Sequence, residues 1–349
     1  MCTGVKFVDD KGTVYFGRNL DWCFDFGQNV VITPRNYSHK YEYLGDMKNK
    51  YALIGMGITF QGIPLYFDCG NEAGLACGGL NFPGYAQYAH DAEPGKGLAS
   101  YEVPLYITSQ FATVDEAEAA LKDMVITDKP VNEKLGASML HWMVADKDRT
   151  IVIEYTKDGM QIFDDGFDVL TNQPGFDFHR ENCRNYMAMN NTWLPSVKWR
   201  EQELTPFGSG VEMRGIPGDY YSPSRFVRVA YINNFYPVQS GEAANVSRMF
   251  HTLGGVSMVN GSAIMNTEGG FEYTTYTGCY SPYYMNYYYN TYEDPAIRYV
   301  TLQDYDADAT EVIVVEDKDA HYGRIAANPD KIRPIHYSNA EGAIIPKAN

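Results

Sequence analysis

Two spacings of apolar residues divide the chain, and each predicts a different element. Short runs rich in β-branched and aromatic residues, bounded by Gly, Asp or Pro, predict strands at 3–8 (TGVKFV), 13–17 (TVYFG), 29–34 (NVVITP), 51–59 (YALIGMGIT), 64–69 (PLYFDC) and 73–80 (AGLACGGL). The DDKG turn joins the first two into an N-terminal hairpin. The last run is apolar at nearly every position, as expected of a strand covered on both faces. Helical spacing then takes over. Thr113-Val114-Asp115-Glu116 fits a capping box ahead of EAEAALKDM, and 100–111 predicts a partner helix. Strands resume at 139–145, 150–155, 160–163 and 167–171, separated by DKDR, KDG and DDG turns. Helices follow at 177–190, 223–234 and 241–253, interrupted by a Gly/Pro-rich excursion at 205–222, and the tyrosine-rich stretch 271–292 predicts two more strands. Blocks of strands followed by blocks of helices, without strict alternation, point to packed layers of the α+β class. From about residue 318 periodicity fades, which predicts a surface extension over 318–349 beyond a single domain at 1–317.

Composition narrows the partners. The 349 residues are 45% hydrophobic and 21% charged, the balance of a globular chain with a sizeable core. A formal net charge of −16 with no clustered Lys or Arg argues against nucleic acid and against docking on an anionic membrane surface. No apolar run is long enough to span a bilayer, and no basic leader with an apolar core precedes Cys2. The six cysteines show no CxxC spacing, so reduced thiols and a cytoplasmic location are expected. The seven histidines never recur at metal-ligand spacing, and GLACGGLNFPG lacks a dinucleotide or phosphate-loop pattern; no metal and no cofactor are expected.

The second residue carries the candidate chemistry. Removal of Met1 would leave Cys2 with a thiol and a free α-amine on one residue, and both groups titrate near neutrality, the thiol near pKa 8.5 and the amine near 8. A nucleophile beside its own base needs no histidine. In YFGRNLDW the hairpin returns Arg18 and Asp21 toward residue 2, where a buried arginine would favour thiolate and a carboxylate would hold the ammonium. Taken alone, such residues are also common surface charges at a hairpin end. Asn81 and Asn172, in NFP and NQP contexts, suit equally the donors of an oxyanion site and ordinary turn residues. Arg225 and Arg228 share one face of the helix predicted at 223–234, with Arg225 expected inward and Arg228 in solvent.

Together, MCTG, FGRNLDW, the AGLN-like segment Ala76-Cys77-Gly78-Gly79-Leu80-Asn81-Phe82-Pro83, LTNQP, GDYYSPSRFVR and the later NTYEDPAIR closely resemble the choloylglycine hydrolases, the bile salt hydrolases of gut bacteria. The motifs occur in order from residue 1 to about 316. The resemblance implies the four-layer αββα fold of N-terminal nucleophile hydrolases, with two antiparallel sheets between helical layers, in a bacterial cytoplasmic homotetramer whose 193–222 excursion embraces a neighbour. It implies Cys2 as nucleophile with its α-amine as base, Asp21 orienting that amine, Arg18 beside the thiolate, Asn172 and Asn81 serving the oxyanion, and Arg225 completing the network. The implied substrate is a bile salt conjugated to glycine or taurine, which requires an apolar cleft. Trp22, Phe24 and Phe26, then Ile58, Phe60 and Leu65, and then Leu135, Ala137 and Met139 are the candidates for its wall, each also explicable as packing. Two rivals share the scaffold: a penicillin V acylase, where Asn81 favours the bile salt reading, and a non-catalytic steroid-binding protein.

Overall fold

The computed structural model describes residues 1–132, 136–265 and 269–322. Two eight-stranded antiparallel sheets lie face to face. Strand β1 (Cys2–Val8) pairs with β2 (Val14–Trp22) in the register Cys2↔Leu20, Gly4↔Arg18 and Val8↔Val14, so the DDKG hairpin forms as the sequence predicts. The sheet runs in the order Val169–Leu170, β1, β2, Gly270–Ser281, Asn286–Thr291, Arg298–Thr301, His321–Tyr322, with Ala263–Met265 added beside the long central strand. The second sheet runs Gly159–Asp164, Thr150–Thr156, Leu140–Ala145, Ala76–Asn81, Ile63–Asn71, Leu53–Phe60, Asn29–Thr33, Ile313–Val315.

Helices cover the two outer faces. Helices α1 (Val103–Gln110) and α2 (Val114–Leu121) pack on the second sheet through Val103, Leu105, Ile107, Val114 and Leu121, all within one buried cluster with Val31, Leu53 and Val144. Thr113 caps α2, its hydroxyl accepting the Glu116 N–H at 3.2 Å. On the other side, after the short α3 (Phe176–Asn182), α4 (Ser222–Phe235) and α5 (Glu242–Gly254) pack on the first sheet through Phe226, Val229, Val246, Met249 and Leu253. The arrangement is the αββα sandwich.

Two glycines set how closely the layers approach. A Cβ on Gly17 would lie 2.5 Å from the Gly278 carbonyl and 2.6 Å from Met249 Sδ, so α5 rests directly on the backbone of β2. A Cβ on Gly70 would lie 2.4 Å from the Tyr280 ring, which fills the space between the two sheets.

The helix expected over 177–190 is shorter: α3 ends at Asn182 and a single 3₁₀ turn, Cys183–Tyr186, follows. Met187 and Ala188 are exposed, so tertiary packing does not extend the helix. The excursion carries a small hairpin, Val197–Trp199 with Gln202–Leu204. His321–Tyr322 pairs with Arg298–Thr301, inside the stretch read as an extension; residues 323–349 lie outside the described residues.

Candidate active site

The register of β1 on β2 builds the site. Directly opposed residues of an antiparallel pair share a face, and Cys2, Gly4, Arg18 and Leu20 therefore look toward the second sheet. Arg18 crosses the gap between the sheets: Nη1 donates to the carbonyls of Phe67 (3.0 Å) and Gly79 (2.8 Å), and Nη2 donates to Cys2 Sγ at 2.6 Å. It is fully buried. Burial alone would weaken its charge, but the Cys2 sulfur, Tyr276 and Asp68 outweigh that and raise its pKa above the ordinary guanidinium value. Behind it, buried Asp68 accepts the hydroxyls of Tyr276 and Tyr287, both at 2.5 Å. Burial raises the Asp68 pKa, and Arg18 with the two hydroxyls opposes the rise.

Asn172 follows the edge strand Val169–Leu170, which pairs with β1 at Val5 and Gly4. Its Oδ1 accepts the Cys2 backbone N–H at 2.8 Å and Arg225 Nη2 at 2.7 Å, while its Nδ2 donates to the Asn81 carbonyl at 2.7 Å. Asn172 is thereby a clamp on the Cys2 nitrogen. The Asn81 side chain, half-buried at the end of Ala76–Asn81, has no hydrogen-bond partner among the described residues, which leaves its amide free for an incoming oxyanion.

Arg225 sits in the first turn of α4 and points inward, as expected, whereas Arg228 only reaches the Gly218 carbonyl in solvent at 3.5 Å. The buried Arg225 donates to the Cys2 carbonyl, to Thr3 Oγ1 (2.6 Å) and, through Nε, to the Tyr220 carbonyl (2.8 Å). Burial lowers its pKa, with Asp21 and Cys2 acting in the opposite sense. Asp21 is fully buried; Oδ1 accepts Thr274 Oγ1 at 2.6 Å and Oδ2 has no partner among the described residues. Its N–H donates to the Met1 carbonyl at 2.8 Å, which sets the carboxylate beside the Met1–Cys2 peptide. The α-ammonium in this structure belongs to Met1 and contacts the Asp21 carbonyl and the Glu272 carboxylate. Of the other five predicted residues, Arg18, Asn172 and Arg225 thus contact Cys2 directly, Asp21 meets the Met1 carbonyl and Asn81 joins through Asn172.

Sequence reasoning missed the support behind Asn172. His141 Nδ1 lies 3.2 Å from Glu154 Oε1, and its Nε2 is 2.8 Å from the Thr171 carbonyl; His179 Nε2 is 2.8 Å from the Asn172 carbonyl. Both rings stack on phenylalanines, His141 on Phe82 and His179 on Phe226. Burial pushes the His179 pKa down to about 4, so at neutral pH the ring is uncharged and holds the loop through one N–H. Isolated histidines give no spacing signal; only their strand and helix neighbours, known after folding, single these out.

The proposed cleft residues form partial groups. Trp22, Phe24 and Phe26 cluster on the loop after β2, with ring centres 6.2 Å (Trp22–Phe24) and 4.9 Å (Phe24–Phe26) apart, and Phe26 reaches Phe67 at 5.5 Å. Ile58 stands opposite Leu65 on neighbouring strands, with Phe60 two residues on. Ala137 and Met139 lead into Leu140–Ala145 beside Asn81, the Met139 carbonyl accepting the Phe82 N–H. Leu135 lies outside the described residues. Phe24, Phe26 and Met139 are exposed.

Residues 2–315 match the linear amide C–N hydrolases, choloylglycine hydrolase family. The chain belongs to the choloylglycine hydrolase family. Within that family it is 50% identical over 317 residues to a bile salt hydrolase/transferase of Bifidobacterium longum subsp. longum, covering 90% of this chain and 99% of that one. It is 42% identical over 315 residues to a conjugated bile acid hydrolase of Lactobacillus acidophilus, again with 90% and 99% covered. The crystal structure of a mutant conjugated bile acid hydrolase from Clostridium perfringens superposes with a TM-score of 0.85 at 34% identity, over 91% of this chain and 98% of that one. Penicillin V acylase from Agrobacterium tumefaciens shares the fold, with a TM-score of 0.70 at 20% identity over 89% and 90%.

Proposed function

We propose that the chain hydrolyses the amide bond of glycine- or taurine-conjugated bile salts, with Cys2, freed of Met1, as the N-terminal nucleophile. One observation carries the reading: Cys2 is held at both ends, its sulfur 2.6 Å from Arg18 Nη2 and its nitrogen 2.8 Å from Asn172 Oδ1. Once that nitrogen is an amine, the unpartnered Asp21 Oδ2 is the acceptor at hand for its new N–H groups. The amine takes the thiol proton, Arg18 stabilises the thiolate, and sulfur attacks the scissile carbonyl. The Asn81 amide then faces the developing oxyanion, a contact typically worth ~10²–10³ in rate. The ammonium returns its proton to the departing glycine or taurine nitrogen, and water cleaves the thioester with the amine again as base.

The exposed aromatic loop at Trp22, Phe24 and Phe26 suits the apolar face of a steroid body. The names of the relatives support the substrate class, because the chain spans nearly the whole length of each. We further infer a single hydrolase domain, a cytoplasmic location and a homotetramer. Trp193, Trp199 and Phe207 on the 193–222 excursion all face solvent, more apolar surface than one protomer normally leaves open. Parallel turnover of glycocholate, taurocholate and penicillin V, by wild type and Cys2→Ser, tests the reading. The bile salt conjugates should be cleaved far faster than the penicillin, and the variant should lose that activity. Preferred cleavage of penicillin V would make the chain an acylase, and unchanged steroid binding with no turnover in either protein would make it a binder.

A further inference from the structure

At the far end of β1 from Cys2, a cavity of about 620 Å³ opens among β1, the Gly166–Asp168 turn, α4 and α5. Its walls mix apolar and aromatic side chains, Phe167, Tyr186, Val227, Tyr231 and Val238 among them, with polar residues such as Asn234, and its volume is that of a small-molecule site, ~300–1,000 Å³. Arg248 of α5 lines it and is only 5% exposed. The guanidinium lies 3.8 Å from the centre of the Phe7 ring and 5.1 Å from that of Tyr236. Nη2 donates to Asn233 Oδ1 (3.0 Å) and to the Asn233 carbonyl (3.2 Å); Nη1 and the buried Nε meet no acceptor among the described residues.

Among the described residues, no carboxylate answers this charge. Asp168 is the one acidic residue among the described residues that line the cavity, and its carboxylate is engaged by Lys6 Nζ (3.5 Å) and Thr150 Oγ1 (2.5 Å). That pair belongs to the other side of the sheet. Residues of even number on β1 look toward the second sheet, as Gly4 does toward Met143, while Phe7 looks toward Arg248. The carboxylate of Asp165, next to the turn, accepts the Phe167 and Val169 N–H groups, yet burial pushes its pKa up to about 8, so it adds little negative charge at neutral pH. Buried cations are ordinarily paired. Here the Lys6–Asp168 pair closes on itself and Arg248 leaves one positive charge open, which a monoanion would balance.

We propose that this cavity binds a hydrophobic monocarboxylate, its head group on Arg248 Nη1 and its apolar body along Phe167, Val227 and Tyr231. The site is distinct from the catalytic one. Helix α4 carries Arg225 beside Cys2 and, eight residues on, Asn233, whose Nδ2 donates to the Lys6 carbonyl at 3.0 Å; that separation is ~12 Å along a helix. A carboxylate on an apolar body describes both a fatty acid and an unconjugated steroid acid. The ligand class rests on Arg248 and the cavity, and it stands whether or not the proposed hydrolysis does.

Titration calorimetry of the full chain with dodecanoate and, separately, with cholate tests the proposal, with dodecyltrimethylammonium as the cationic control. Dodecanoate, cholate or both should bind with a Kd of roughly 100 μM or tighter, and the cation should not. Arg248→Met should weaken that binding at least about tenfold, Arg248→Lys should retain most of it, and Ala230→Phe, which fills the cavity, should abolish it with the thermal midpoint of the free protein kept. Ala230→Phe sensitivity for cholate would identify a steroid acid as the occupant, and sensitivity for dodecanoate alone would identify a fatty acid. Equal binding of the cation, binding of both acids undiminished by Ala230→Phe and by Arg248→Met, or no binding of either acid up to about 1 mM would overturn it.

Discussion

Arg18 has two tasks at once: it holds the two sheets together through the Phe67 and Gly79 carbonyls and holds the Cys2 sulfur with its remaining nitrogen. A neutral side chain of similar length should separate them. Arg18→Met should lower kcat by roughly 10² and move the acid limb of the pH–rate profile upward, because the thiolate loses its nearest cation. An unmoved limb would mean that the guanidinium serves packing alone. Cys2, Arg18 and Asp21 were legible in the sequence, since a hairpin turn fixes which residues of β2 return to the start of β1. The Asn172 clamp was legible only as a likeness of motif: nothing in LTNQP states that its Oδ1 would take the Cys2 nitrogen or that Arg225, 53 residues away, would share it.

His179 gives the residue scale its pH dependence. Its folded pKa of about 4 lies below the ordinary histidine value of 6.5, so between those values the unfolded chain binds the proton and the folded chain does not. Stability should therefore be full above pH 6.5 and fall as pH drops toward 4, by up to ~3 kcal/mol from this group. His179→Gln, which retains a donor to the Asn172 carbonyl, should flatten that part of the profile in urea melts followed at pH 7 and pH 4.5. An identical slope in both proteins would place the acid sensitivity elsewhere.

At the scale of elements, periodicity located most of the main strands and, apart from the overlong helix expected at 177–190, the helices to within a few residues. It failed at short pieces whose conformation comes from pairing: Val197–Trp199, Ile313–Val315 and His321–Tyr322 carry too few residues to show a period. The order of strands was also hidden. Gly270–Ser281 lies beside β2 because Gly17 and Gly278 let two backbones and α5 converge, a contact some 260 residues apart in sequence. Gly17→Ala should cost ~1–3 kcal/mol, since the new methyl would meet both the Gly278 carbonyl and Met249. Combining it with Met249→Ala should recover only part of the loss, because the carbonyl remains; full recovery in the double variant would show that the sheet itself has room.

Across the whole molecule, the layered fold and the family were readable from motifs spread over nearly the full chain, while the supporting network and the cavity beside Arg248 required the coordinates. The exposed excursion is the feature a single protomer leaves unexplained. Replacing Trp199 and Phe207 with Asp should shift light-scattering mass toward the monomer with the protomer fold kept by circular dichroism; an unchanged mass would remove the excursion from assembly.

The most direct test concerns the first peptide bond. Intact mass and glycocholate turnover should be measured together on the wild-type chain and on a variant with one alanine inserted between Met1 and Cys2. The wild type should have lost Met1 and be active, and the variant, with its cysteine nitrogen still in an amide, should turn over at least about 10³ more slowly. Comparable rates from the two proteins would contradict a mechanism in which thiol and amine share one residue.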